Sequence, residues 1–326
     1  MRKLKIVGTG SCLPKKVLTN FDLEQMVDTS DEWITSRTGI KERRIADDGT
    51  ATSDLVTGAA WKALESAQME PKDLDAIIVA TVTPDMFYPS TASCVQKELG
   101  TRKIPVFDLS AACSGFLYGL EISSGLISTG ACRNILLSGA EVMSKVVNWE
   151  DRNTCVLFGD GAGVVIISAT DGDHGIYASA WGADGSIGEL LMQPAGGTRM
   201  PPTHETIDRK LHTVHMKGNE VFKHAVRAMG DAAVEVLKRQ GLTGDDVDLF
   251  IPHQANRRII EATCRRAKVP LEKTVITIDK YGNVPAASIP IALDEVVRER
   301  RLKRGDTVLL ASFGGGFTWA AAVLKW

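Results

Sequence analysis

Six cysteines occur in the sequence and no two of them form a Cys-x-x-Cys pair; Cys12, Cys94, Cys113, Cys132, Cys155 and Cys264 follow no regular spacing. That lack argues against a zinc site and against a disulfide framework. An excess of either charge is also missing, since 38 Lys and Arg stand against 40 Asp and Glu for a formal net charge of −2. Nucleic-acid binders carry a marked basic excess, so that class is not expected. No apolar run approaches the roughly 18 residues of a membrane-spanning helix. The basic start MRKLKIVGTGS holds only the pair Ile6 and Val7 where a secretory signal needs a longer apolar core. A cytoplasmic protein without membrane association is the expectation. The stretch FGDGAG at 158–163 lacks the Lys-Ser/Thr of a Walker phosphate loop and runs into the strand-like VVIIS, which reads as close packing.

What is present is a duplicated order of elements in a chain of 326 residues, 44% apolar and 24% charged. The helical pattern WKALESAQMEPKDLD leads into the apolar run AIIVATVTP, and AVEVLKRQGLTGDDVD leads into LFIPHQA. Next in each half come a helix (STASCVQKELG, RRIIEATCRRAKV) and a strand (IPVFDLSAAC, TVITIDKYGN). A small-residue helix start (SGFLYGL, VPAASIPIAL) and a strand (RNILLSGAE, DTVLLASFGGG) complete each series. Strands that alternate with helices and read as unbroken apolar runs predict α/β units whose sheets are covered on both faces. The repeat predicts two similar halves, 1–171 and 172–326, dividing near Asp171.

Three chemically able residues fall at strand ends, where α/β sheets bind ligands. Cys113 ends the run in FDLSAACSGF and opens a helical pattern; His253 ends LFIPH; Asn283 ends the segment TVITIDKYGN. A helix N-terminus favours negative charge, so a lowered thiol pKa is expected at Cys113, and Ala111, Ala112, Ser114 and Gly115 leave room for a substrate. Taken singly, the three also fit a buried structural thiol, a loop histidine and a turn asparagine. Taken together they suggest a catalytic cysteine with His and Asn partners.

The motifs FDLSAACSGF, IPHQANRRI, DKYGNVPAASIP and FGGGFTW occur in that order between GTGSCLP near the start and the last residues. In them the chain resembles the β-ketoacyl-acyl-carrier-protein synthase III family, the initiating condensing enzymes of dissociated fatty-acid synthesis. The resemblance implies the thiolase fold, two duplicated α/β halves with mixed sheets in layers. It implies that Cys113 takes an acyl group from a short acyl-CoA, that His253 and Asn283 hold the enolate left when malonyl-acyl carrier protein loses CO₂, and that the backbone N–H groups of Cys113 and Gly315 form an oxyanion hole. It places Thr29, Trp33, Arg37, Arg152 and Asn256 at CoA, and Met143, Phe158, Leu191, Val214 and Phe313 around the acyl group, with Tyr88 supplied by the partner subunit of a homodimer. Large lining side chains imply acetyl as primer, with propionyl and branched primers left open. No metal and no bound redox cofactor are implied.

Acyl carrier proteins are acidic, so a basic face is expected to dock one. Arg258, Arg265 and Arg266 on RRIIEATCRRAKV, and Lys223 on NEVFKHAVRAMG, are the candidates. A specialised condensing enzyme or acyltransferase of secondary metabolism on the same scaffold would keep the same three residues. A papain-like thiol hydrolase would carry C-G-S-C-W around its nucleophile, which is absent. A CoA-binding module without catalysis would leave Cys113 as a core residue.

Overall fold

Two sheets frame the computed structural model, which describes residues 3–172 and 175–326. The first contains β1 (Lys3–Cys12), β2 (Ala76–Ala80), β3 (Val106–Leu109), β4 (Asn134–Val142) and β5 (Asp160–Thr170), in the order β1-β5-β4-β2-β3. Here β2 is parallel to β3 and β4, while β5 is antiparallel to β4 and β1. The second contains β6 (Gly175–Ala183), β7 (Leu249–Pro252), β8 (Thr307–Gly314) and β9 (Thr318–Lys325), in the order β7-β8-β9-β6. Its β7 is parallel to β8, and β9 is antiparallel to both β8 and β6. Substituting β6 for β1, β9 for β5, β8 for β4 and β7 for β2 turns four strands of the first sheet into the second, strand directions included, and only β3 has no counterpart strand. The duplication read from element order is thus present in the topology.

The helices that position the site are α1 (Asp31–Thr38), α2 (Thr52–Ala67), α3 (Thr91–Leu99), α4 (Gly115–Ser128), α5 (Gly218–Arg239), α6 (Arg257–Ala267) and α7 (Ser288–Arg298). Successive residues of β2 divide between two cores: Ile78 packs inward with Phe116 and Leu120 of α4 and Ile289 and Leu293 of α7, whereas Ile77 and Val79 pack outward against α2 and α3. In β8, Val308 and Leu310 face the same inner core and Leu309 faces α5 and α6. Period-two alternation therefore sends apolar side chains to both faces, and each fully buried one contributes about 1.5–3 kcal/mol. The result is five layers, helices outside, sheets next, and α4 with α7 between them. Gly139 of β4 permits the closest approach in this middle layer, because a Cβ there would sit 2.0 Å from the carbonyl oxygen of Ala286.

One expected strand is replaced by something shorter. TVITIDKYGN makes only two isolated parallel bridges, Thr274 to Phe250 and Asn283 to Phe158, and between them Ile278–Tyr281 forms a single helical turn. The cause is the side chain of Gln254, whose Oε1 accepts the N–H groups of Thr277 (2.9 Å) and Ile278 (3.2 Å) and withdraws them from any ladder. Gly282 follows with φ +64° and ψ −160°, a conformation open essentially to glycine alone, and turns the chain so that Asn283 comes next. Among the described residues no helix is long and apolar enough to cross a membrane.

Candidate active site

A cavity of about 1000 Å³ opens where the two halves meet, and Cys113, His253, Asn283 and Gly315 all line it. Cys113 lies in the turn Ala112–Ser114 between β3 and α4. Ala112 has φ +46°, which costs a residue with a Cβ about 1–3 kcal/mol. Contacts from the other half hold this turn in place: Ser312 Oγ donates to the Cys113 carbonyl at 2.7 Å, and Thr318 Oγ1 donates to that of Ala111 at 2.9 Å. Ser114 Oγ in turn donates to the Thr318 carbonyl at 3.1 Å. Gly314 must lack a side chain, since a Cβ would lie 2.5 Å from the Cys113 nitrogen.

The thiol departs from the sequence-based expectation. Burial pushes the Cys113 pKa up to about 12, and the neighbouring Glu141 carboxylate pushes it the same way. The backbone N–H groups of Gly315 and Cys113 itself point at the sulfur and lower its pKa, but by less than burial raises it. The helix N-terminus is present, but desolvation by burial outweighs it.

His253 follows β7 and is 1% exposed. Burial lowers its pKa to about 3, so the ring is neutral at pH 7. Its Nδ1 lies 2.7 Å from Ser288 Oγ, at the start of α7, and the Gln254 N–H donates to the same oxygen at 3.2 Å. Where the serine proton points to Nδ1, the proton of the neutral imidazole is carried on Nε2. Asn283 is fixed through its backbone: its N–H donates to the Leu157 carbonyl at 2.8 Å and its carbonyl accepts from Gly159 N at 3.0 Å. Its side-chain Oδ1 is buried with no hydrogen-bond partner. Such an orphan in a cavity marks a position held for something other than folding.

At the mouth, the indole of Trp33 lies between two guanidinium groups, Arg37 at 4.7 Å and Arg152 at 5.1 Å from the ring centre. Ser30 caps α1 by accepting the Trp33 N–H at 3.1 Å, which sets the indole's direction. Arg152 stands outside the cavity lining and donates to the Asp28 carbonyl at 2.7 Å. Thr29 is likewise not a lining residue, although its Oγ1 is buried without a partner. Asn256 lines the wall, caps α6, and donates to the Arg37 carbonyl at 3.0 Å, tying α6 to α1.

Met143, Phe158, Leu191, Val214 and Phe313 line the same cavity. Tyr88, which is 86% exposed, does not. Of the basic residues, Arg258 lies over the Phe222 ring at 5.3 Å on the cavity wall. Lys223 and Arg265 are exposed beyond it, and Arg266 donates from Nε to Asp231 at 2.6 Å. Ser288, Gln254 and Glu141 were not singled out in the sequence; the usable signal for Ser288 was a lone hydroxyl at the head of an otherwise apolar helix. Among the described residues no group of three or more His, Cys, Asp or Glu is placed to hold a metal ion.

Comparison with known proteins agrees with this geometry. Residues 107–185 match the family 3-Oxoacyl-[acyl-carrier-protein (ACP)] synthase III, and residues 237–326 match its C-terminal counterpart. The chain is 59% identical over 321 residues to the beta-ketoacyl-[acyl-carrier-protein] synthase III of Caldanaerobacter subterraneus subsp. tengcongensis, covering 98% of this chain and 97% of that protein. It superposes on the crystal structure of 3-oxoacyl-[acyl-carrier-protein] synthase III from Aquifex aeolicus VF5 with a TM-score of 0.91, 48% identity and full coverage of both chains. The priming β-ketosynthase of the R1128 polyketide pathway also superposes at 0.91, with 33% identity over 99% of this chain and 96% of that one. Full-length identity at this level, on the same thiolase-like α/β fold, establishes that the chain belongs to the β-ketoacyl-acyl-carrier-protein synthase III family.

Proposed function

We propose that this protein is an acyltransferase that condenses a short acyl-CoA, acetyl-CoA foremost, with malonyl-acyl carrier protein, giving 3-ketoacyl-acyl carrier protein, CoA and CO₂. In this reading it initiates fatty-acid synthesis. The observation that carries it is the convergence of Cys113, His253 and Asn283 on one cavity, with Ser288 engaging His253 Nδ1 so that Nε2 is the ring nitrogen left for a substrate.

The Cys113 sulfur attacks the thioester carbonyl of acyl-CoA; the bond between the acyl carbon and the CoA sulfur breaks, and the departing CoA sulfur leaves with the thiol's proton. The oxyanion of that step is held by the backbone N–H groups of Cys113 and Gly315, both already directed at the sulfur. The malonyl thioester then loses CO₂, and the electron pair of the broken C–C bond becomes an enolate whose oxygen takes hydrogen bonds from His253 Nε2–H and the Asn283 amide. The enolate carbon attacks acyl-Cys113, the acyl carbon–sulfur bond breaks, and the expelled thiolate takes a proton from solvent to regenerate the resting thiol. Each such donor typically contributes about 10²–10³ in rate. A neutral histidine suits the task, because it stabilises the enolate without protonating it away.

Trp33 with Arg37 and Arg152 forms a face for the adenine and a charge for the phosphates, and Thr29 and Asn256 contribute hydrogen bonds along CoA. Met143, Phe158, Leu191, Val214 and Phe313 bound the acyl group, closed by Tyr88 from the partner of a homodimer. Lys223, Arg258, Arg265 and Arg266 receive the acidic carrier protein. Residues 1–171 supply the nucleophile and residues 172–326 the enolate donors. The chemistry requires no metal or redox cofactor, and both substrates are met in the cytoplasm. A specialised condensing role is less well supported, since identity is 33% to the R1128 priming synthase and 59% to the Caldanaerobacter protein.

Mass spectrometry of the protein with acetyl-CoA, then with malonyl-acyl carrier protein, tests the reading. An acetyl adduct on Cys113 that disappears as acetoacetyl carrier protein forms supports condensation, and Cys113→Ser should give neither. His253→Ala and Asn283→Ala should still form the adduct yet decarboxylate malonyl carrier protein poorly. An adduct that moves to another acceptor without release of CO₂ overturns the condensing reaction.

A further inference from the structure

Glu141 is the one fully buried carboxyl beside the nucleophile, and the reaction above gives it no task. It stands on β4, two residues beyond Gly139 and therefore on the same face of the strand. Its oxygens accept the Thr83 hydroxyl at 2.7 Å, the Thr81 hydroxyl at 3.3 Å and the Val82 N–H, which both oxygens share at 3.2 Å. The backbone N–H of Ala286 also lies near enough to lower its pKa. No ion pair offsets its burial among the described residues, and a lone buried carboxyl is costly, so its retention calls for a reason beyond filling space.

The partners supply that reason. Val82 and Thr83 belong to the first half and line the cavity. Ala286 belongs to the second half, three residues after Asn283. Its carbonyl is pressed onto Gly139, two residues before Glu141 on the same strand face, where even a methyl group could not fit, and its N–H lies close to the Glu141 carboxyl. The other end of the same loop is held where the Asn283 backbone pairs with Leu157 and Gly159. Asn283 thus sits on a short loop pinned at both ends, and its side chain carries no hydrogen bond from Oδ1 that could orient it locally. Its orientation is inherited from the pins.

We propose that Glu141 is a positioning residue that joins the cavity wall at Val82 and Thr83 to the Ala286 N–H and thereby sets where the Asn283 amide meets the enolate. The proposal rests on the condensing function given above. Glu141→Gln keeps the shape but replaces one acceptor oxygen by an NH₂ group, which cannot accept from the Val82, Thr83 and Ala286 donors together. Loss of that pin lets Asn283 drift, and a displacement near 1 Å costs about 100-fold.

The test separates the half-reactions. In E141Q, decarboxylation of malonyl carrier protein should fall about 10- to 100-fold in kcat with its KM nearly unchanged, while acylation of Cys113 falls by less than about 3-fold. In the Asn283→Ala background the same change should cost almost nothing more, because the residue it positions is gone. If E141Q does not fold, Thr83→Val removes one donor and should show the same split more weakly. Equal loss in both half-reactions, or a cost that adds in full to that of Asn283→Ala, overturns the proposal. A parent protein that forms no acyl-Cys113 at all overturns the condensing function itself, an outcome readable before any variant is made.

Discussion

Ser288 Oγ stands 2.7 Å from Nδ1 of His253 and takes the Gln254 N–H from the other side. A helix start in the second half therefore engages one nitrogen of the imidazole and leaves Nε2 for other partners, and donation from the serine would keep the ring proton on Nε2. Ser288→Ala removes that control and lets the ring adopt the tautomer with Nε2 bare. Condensation should fall about 10-fold or more, with acylation of Cys113 less affected, measured as separate half-reactions. Equal acylation and condensation losses would assign Ser288 to the fold alone.

The Cys113 thiol, pushed up to about 12, is protonated in the free protein at neutral pH. Alkylation by iodoacetamide should therefore be slow at pH 7 and rise about tenfold per pH unit through pH 9, because only the thiolate reacts. A rate that levels off below pH 8 would mean that the helix N-terminus prevails over burial after all.

Acid should destabilise the protein through His253. Its pKa is about 3 in the fold against 6.5 for an ordinary histidine, so between those values the unfolded chain binds a proton that the folded chain excludes. Stability contributed by the neutral ring is thus complete above pH 6.5 and declines as pH falls toward 3. Glu141 acts in the opposite sense: its pKa, raised from 4.5 to about 7, makes the folded chain hold the proton longer, so stability rises as pH falls through 7 toward 4.5. Thermal unfolding at pH 7 and pH 5 should show a larger acid loss for the parent than for His253→Leu. An identical loss in both would show that the imidazole protonates freely inside the cavity.

Arg258→Glu should raise KM for the carrier protein roughly 5- to 10-fold and leave KM for acyl-CoA nearly unchanged, and salt should shrink the difference. Arg266 is a poorer choice for this test because its charge is already engaged by Asp231. An equal rise in both KM values would place Arg258 on the CoA path instead of the docking face.

How legible these features were depends on the range of the interaction that creates them. AIIVA and VLLA are apolar at every position because they are buried on both faces, a local pattern with one structural solution, and their repetition carried the duplicated architecture. His253 directly follows such a strand and Cys113 follows a half-buried one, whereas the run before Asn283 is not a strand. TVITID carries an equally good local pattern, but Gln254 takes two of its backbone donors from a distance of some twenty residues. The thiol's pKa misled for a related reason: a helix start is visible in a ten-residue window, whereas the burial that dominates comes from segments throughout the chain. Glu141 escaped notice because nothing nearby in sequence distinguishes it from a surface carboxylate at a strand end.

The turn that carries Cys113 is held by hydroxyl groups far downstream, Ser312 being 199 residues later in the chain. A ribosome making this protein therefore releases the sulfur-bearing segment long before anything can hold it in the left-handed bend at Ala112. Gly315, which directs an N–H at the sulfur, emerges later still. The nascent polypeptide accordingly has the cysteine but not the contacts that shape the turn around it. Those contacts form only when the hairpin of β8 and β9 docks, a late and long-range step.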